Sequence, residues 1–179
     1  MRLAVLGVAV IAIAAVAQAA ERQVEATNGV VVSINGDEFD GKLEYTAPMV
    51  KFGNSMSFFL VAAVKKNGQK AGPIEIAGAV YYTGEWRHYS AANVRGGEAI
   101  QGSFNDRRVV TCSGSSSRGG CTLLEGFQFT LTDQQILKYA TNGYLDIKLQ
   151  AVSSNEEPVI QVPLTYIQAV REISQRPSD

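Results

Sequence analysis

The segment Tyr81-Tyr82-Thr83-Gly84-Glu85-Trp86-Arg87-His88-Tyr89 holds the chain's only tryptophan and only histidine, with a guanidinium between them and a carboxylate beside them. Read as an extended strand, it places Trp86 and His88 on one face and Glu85, Arg87 and Tyr89 on the other. Residues of these types can bind. Trp86 or Tyr89 would stack on a ring or sugar, and Arg87 would hold a carboxylate or sugar hydroxyl, with His88 alongside. The competing expectation is half-buried strand surface, because aromatic residues favour strands and Glu85 can pair with Arg87 along one face. Catalysis lacks its parts. A Ser-His-Asp enzyme would have to recruit His88, yet no G-x-S-x-G elbow presents a serine. A two-carboxylate glycosidase needs its acids close only in space, and nothing singles out a pair. The sequence therefore names no catalytic residue.

The chain has two cysteines, Cys112 and Cys121, at the ends of a Ser/Gly loop inside RRVVTCSGSSSRGGCTLLEGFQFTL. Redox catalysis would want C-x-x-C, and zinc would want four ligands where the chain offers a single histidine. A structural disulfide closing a β-hairpin is expected instead. Residues 113–120 contain no apolar side chain, so the bridge must restrain the loop. Arg118 within it reads as a solvated arginine.

Gly36-Asp37-Glu38-Phe39-Asp40-Gly41-Lys42 formally matches G-x-x-x-x-G-K. The match fails at Leu43, where magnesium ligation needs Ser or Thr, and its carboxylates stand where phosphates would go. Asp37, Glu38 and Asp40 also lack EF-hand spacing, so a solvated acidic turn is expected. No metal and no cofactor are implied.

The elements that would position these residues begin after a leader. Met1-Arg2 is a short positive start, residues 3–16 are uncharged and apolar, and Ala17-Gln18-Ala19 fits the small-x-small rule. Residues 1–19 are expected to be a secretory signal peptide, leaving 20–179 as one domain in the periplasm or outside the cell, with no membrane span after cleavage. The 179 residues carry a formal charge of −1, and removing Arg2 takes it to about −2. A nucleic-acid partner would need a concentrated basic face, so none is expected.

Short strands dominate the rest. Candidates are 24–34, with Asn28-Gly29 as a kink; a run from Phe39 to Tyr45, after a turn at Asn35-Gly36; and 57–64, whose near-continuous apolar character suits a strand covered on both faces. Further runs follow at 74–83, 86–91, 99–104, 107–112, 121–131, 144–152 and 159–162. Thr132-Asp133-Gln134-Gln135 has the form of a capping box opening a short helix over Ile136, Leu137 and Ala140. Leu164, Ile167, Val170 and Ile173 approximate a helical stripe, but Pro163–Ile173 stays open between helix and strand. The pattern predicts a mainly β chain, a single-domain antiparallel β-sandwich or flattened barrel with one or two short helices near the C-terminus.

Cys121, the capped segment ILKYA, Gly143, the strand YLDIKLQ and the closing VPLTYIQAV together resemble the end of periplasmic proteins of the invasion-associated locus B type. Those proteins often finish with a strand running into a Leu-x-x-Phe/Tyr-x-x-Ala segment, onto which Leu164, Tyr166 and Ala169 fall loosely. The resemblance covers residues 121–173. It implies an exported all-β accessory protein and carries over no active site. The functional expectation is a non-enzymatic exported protein acting in envelope or host-surface interactions, with a partner that is a protein. The alternative is a small-ligand or glycan-binding module on Trp86–Tyr89, and a hydrolase comes last.

Overall fold

A computed structural model of the chain describes residues 22–37, 41–53, 56–66, 69–112 and 120–176. The expected signal peptide, Glu38 and Asp40 of the acidic turn, and Arg118 lie outside the described residues.

The described residues form two antiparallel sheets packed as a sandwich, with two helices. Its strands are β1 (Arg22–Glu25), β2 (Val31–Asp37), β3 (Lys42–Thr46), β4 (Val50–Lys51), β5 (Phe58–Lys66), β6 (Ile74–Thr83), β7 (Tyr89–Val94), β8 (Gly102–Ser103), β9 (Arg107–Cys112), β10 (Cys121–Leu131), β11 (Tyr144–Ala151) and β12 (Val159–Pro163). Helix α1 (Asp133–Tyr139) links β10 to β11, and α2 (Leu164–Gln175) follows β12. The larger sheet runs β1-β2-β3-β5-β6-β10-β8, with β4 paired to β5 and β9 paired to β10. The smaller sheet runs β12-β11-β7.

Alternation decides which side of each strand meets the core. Phe59, Val61 and Ala63 of β5 point inward with Ile74, Ile76, Val80 and Tyr82 of β6, and with Leu123, Phe127, Phe129 and Leu131 of β10. The smaller sheet answers with Leu145, Ile147, Leu149, Ile160 and Val162, while α2 adds Ile167, Val170 and Ile173. The open question at the C-terminus resolves as both elements in turn: Pro163 ends β12, and the stripe spaced by threes is the buried side of α2. The Thr132–Gln135 capping box forms, with the Gln135 amide donating to the Thr132 hydroxyl at 3.2 Å.

Four expectations change. The 24–34 run is two strands, because Asn28-Gly29 makes a hairpin turn: the Ala26 amide donates to the Val30 carbonyl at 2.9 Å, and Gly29 has φ 82°. Asn35-Gly36 is strand, since the ladder to β3 continues to Asp37↔Lys42 and moves the turn outward. The run at 99–104 shrinks to two strand residues. Among the described residues, α2 and the second sheet cover the inner face of the apolar β5 run, and no helix or second sheet lies over the outer face. Ala62, Ala79 and Leu124 are buried, yet they stand outside the core cluster, on the opposite side of the sheet.

The cysteine hairpin forms as expected. Cys112 and Cys121 face each other across β9 and β10 and are disulfide-bonded. One extra residue, Val110, bulges from β9 between Thr111↔Thr122 and Val109↔Leu123.

Candidate functional site

Trp86–His88 is not a strand. Strand β6 ends at Thr83, β7 starts at Tyr89, and His88 sits at φ 55°, in the left-handed region. The expected shared face of Trp86 and His88 therefore does not exist, since alternation requires extended backbone. What bends the segment is a residue that sequence reasoning passed over. Glu125 of β10 is 2% exposed and lies between the two sheets. One carboxylate oxygen accepts from the amides of Arg87 at 3.1 Å and His88 at 2.9 Å, and from the Tyr82 hydroxyl. The other accepts from the Tyr89 amide at 3.0 Å and the Arg107 Nε at 2.9 Å. Three successive backbone amides converging on one anion form a nest, and the left-handed turn at His88 is part of that geometry.

Arg107 connects this knot to the disulfide hairpin. It is the first residue of β9, and its second guanidinium contact is the Tyr89 carbonyl at 3.0 Å. One end of β9 is thus held by an ion pair and the other by the disulfide. Arg87 is also engaged within the fold: it pairs with Glu156 at 2.7 Å, donates to the Tyr89 hydroxyl at 3.3 Å and lies 4.2 Å over the Tyr82 ring. Tyr89 is 1% exposed, and Trp86 packs half-buried against the core. Of the four residues singled out from sequence, Arg87, His88 and Tyr89 come together through their amides around Glu125, and Trp86 packs beside them against the core. Neither Tyr89 nor the Arg87 guanidinium is presented for a ligand.

The electrostatics agree. Burial pushes the Glu125 carboxyl up, but hydrogen bonds from Tyr82, Arg107 and the Tyr89 and His88 amides outweigh it and hold the group below the ordinary carboxylate range. Burial, then the bond to Glu125, push the Tyr82 phenol well above its usual value. A carboxylate offers about four lone-pair positions, and five donors already address this one. It has no capacity left for a substrate proton. The His88 imidazole is exposed and has no hydrogen-bond partner among the described residues. Among the described residues no three His, Cys, Asp or Glu side chains converge as metal ligands, and no helix is long and apolar enough to cross a membrane.

The neighbouring tyrosine leads to the opposite face. Tyr81 points outward from β6, and its ring lies 6.3 Å from that of Phe58. Together with Leu60, Ala77, Ala79 and Leu124 they line a shallow groove of about 290 Å³ over β5, β6 and β10. Among the described residues its lining comes from those strands and from the Asn105–Arg108 stretch. The rim is polar: Asp106 pairs with Arg108 at 3.3 Å, and Gln128 donates to Glu75 at 2.8 Å.

One signal pointed to Glu125. It occupies an inward position in the otherwise apolar alternation Leu123, Glu125, Phe127, Phe129, Leu131, and a charge there demands partners. Comparison of the chain with protein-family models, curated protein sequences and solved structures finds no match.

Proposed function

We propose that the protein is an exported, non-enzymatic interaction module whose docking surface is the outward face of β5, β6 and β10. The observation that carries this reading is the apolar groove formed by the half-buried Phe58, Leu60 and Tyr81 over a buried floor of Ala79 and Leu124, edged by Asp106, Arg108 and Gln128. An apolar centre with a polar rim is the anatomy of a protein–protein interface. The groove is smaller and shallower than the clefts that enclose small ligands, which favours a protein partner presenting an apolar ridge. The exposed Asp106–Arg108 pair offers that ridge one charge of each sign at its edge.

The disulfide supports an oxidising compartment, and the C-terminal resemblance supports an accessory role in the cell envelope. The saturated Glu125 knot supports a scaffold rather than a reaction centre, because its reactive-looking groups are spent on shape.

Leu60 is half-buried already, so covering its remaining apolar surface in an interface is worth on the order of 1 kcal/mol, and a glutamate there would add a desolvated charge. Leu60→Glu should therefore weaken capture of a specific envelope partner by roughly tenfold or more, while the urea midpoint of the isolated protein stays close to that of the unsubstituted chain. A partner held equally by both proteins would defeat this reading, as would concentration-dependent self-association abolished by the same substitution.

A further inference from the structure

A second cleft lies at the other end of the molecule, where the β5–β6 connection, the start of α1 and the last turn of α2 meet. Its volume is about 900 Å³, at the upper end of small-ligand sites. Among the described residues four cations line it, Lys65, Lys70, Arg171 and Arg176, with one carboxylate, that of Asp133. A chain whose formal charge is −1 thus concentrates positive charge in this concavity, where a surrounding wall of protein focuses the field.

The cations differ in how far they are engaged. Arg171 pairs with Asp133, and Arg176 pairs with Glu172 one turn earlier in α2. Lys65 donates to the Arg176 carbonyl at 3.0 Å, answering the negative end of that helix. Lys70 is exposed and has no partner among the described residues. The two ion pairs are partly solvated, and an incoming anion can share or displace their carboxylates. Ala71 and Pro73 add apolar wall beside the charges, which suits a short carbon skeleton.

We infer that this cleft binds a small organic anion carrying two or more carboxylate or phosphate groups. Lys70 supplies the uncommitted charge, and the guanidinium of Arg171 supplies fork-like hydrogen bonding. The site uses none of the groove residues over β5, β6 and β10, so it stands or falls separately from the docking face.

The test is calorimetric titration of the purified chain with citrate and, separately, pyrophosphate at low ionic strength, repeated at 0.3 M sodium chloride. Both or one of the probes should bind, salt should weaken the binding, and Lys70→Glu should weaken it by about tenfold or more. Preference between the two probes separates a carboxylate from a phosphate ligand. Amide NMR signals of Lys70–Gly72 and Arg171–Arg176 should move on titration. Arg171→Gln provides a second variant, expected to lose affinity while keeping the native amide spectrum outside the cleft. Binding of neither probe, binding unchanged by both substitutions, or shifts confined to residues elsewhere would overturn the inference.

Discussion

Glu125→Gln isolates the group that shapes the Trp86–Tyr89 segment. The substitution keeps size and one acceptor oxygen, but it replaces the other oxygen with an amide that can only donate. In the less costly orientation the retained oxygen still serves Tyr82, Arg87 and His88, while the new amide faces the Tyr89 amide and the Arg107 Nε, donor against donor. Breaking a buried pair by removing one charge costs about 3–5 kcal/mol. Arg107 is 38% exposed, so water recovers part of its share and the lower end applies. A loss of about 3 kcal/mol is smaller than the roughly 5–15 kcal/mol typical of a domain, so the variant should still fold at pH 7.

Urea denaturation followed by the fluorescence of Trp86 measures this directly. Proton linkage supplies the second arm. The Glu125 carboxyl has a folded-state pKa below its ordinary value of 4.5, so near and below pH 4.5 the unfolded chain binds more protons than the native one. The stability this group contributes is complete above that value and is lost as the pH falls through the lower folded value. The gap between the parent chain and Glu125→Gln should therefore be widest at pH 7 and narrow toward pH 3. A gap under about 1 kcal/mol at pH 7, or one independent of pH, refutes the assignment of Glu125 as the anchor.

Other substitutions read other parts of the fold. Gly78→Ala should cost about 2 kcal/mol or more, visible as a lowered thermal midpoint, because a Cβ there would lie 2.3 Å from the Phe58 carbonyl oxygen and 2.6 Å from the Phe127 ring. Reduction of Cys112–Cys121 should raise the intact mass by two hydrogens and lower stability by about 2.5–3 kcal/mol; an unchanged mass would mean free thiols. Thr132→Ala should remove about 1 kcal/mol through loss of the α1 cap, checked by the urea midpoint. Titration with neutral glycans should leave Trp86 fluorescence unshifted, since Tyr89 is buried and Arg87 is already paired.

Much of the β framework was legible because alternation reports which side of a strand is buried. The Cys112–Cys121 pairing followed from compartment chemistry, and the Thr132 cap from side-chain reach. Turn placement was less legible: Asn-Gly occurs at both 28–29 and 35–36, and the cross-strand partners of β2 decide which one turns. The Trp86–His88 segment misled for a related reason. Its residue types favour strand, but a carboxylate far along the chain collects its amides and overrides local preference. The two-sided apolar character of β5 was legible as well. Covering by other elements was expected on both faces, whereas among the described residues it is supplied on the inner face, and the outer one carries a groove with a buried floor.

Site-specific photocrosslinking in the cells that produce the protein tests the docking face most directly. A photoreactive phenylalanine analogue would be placed at Leu60 or Tyr81, inside the groove, and at Gln161, exposed on β12 of the other sheet. A discrete adduct with one other protein from positions 60 and 81, and none from 161, is the predicted result. Equal labelling from all three positions, or adducts with a second copy of the chain alone, would contradict it.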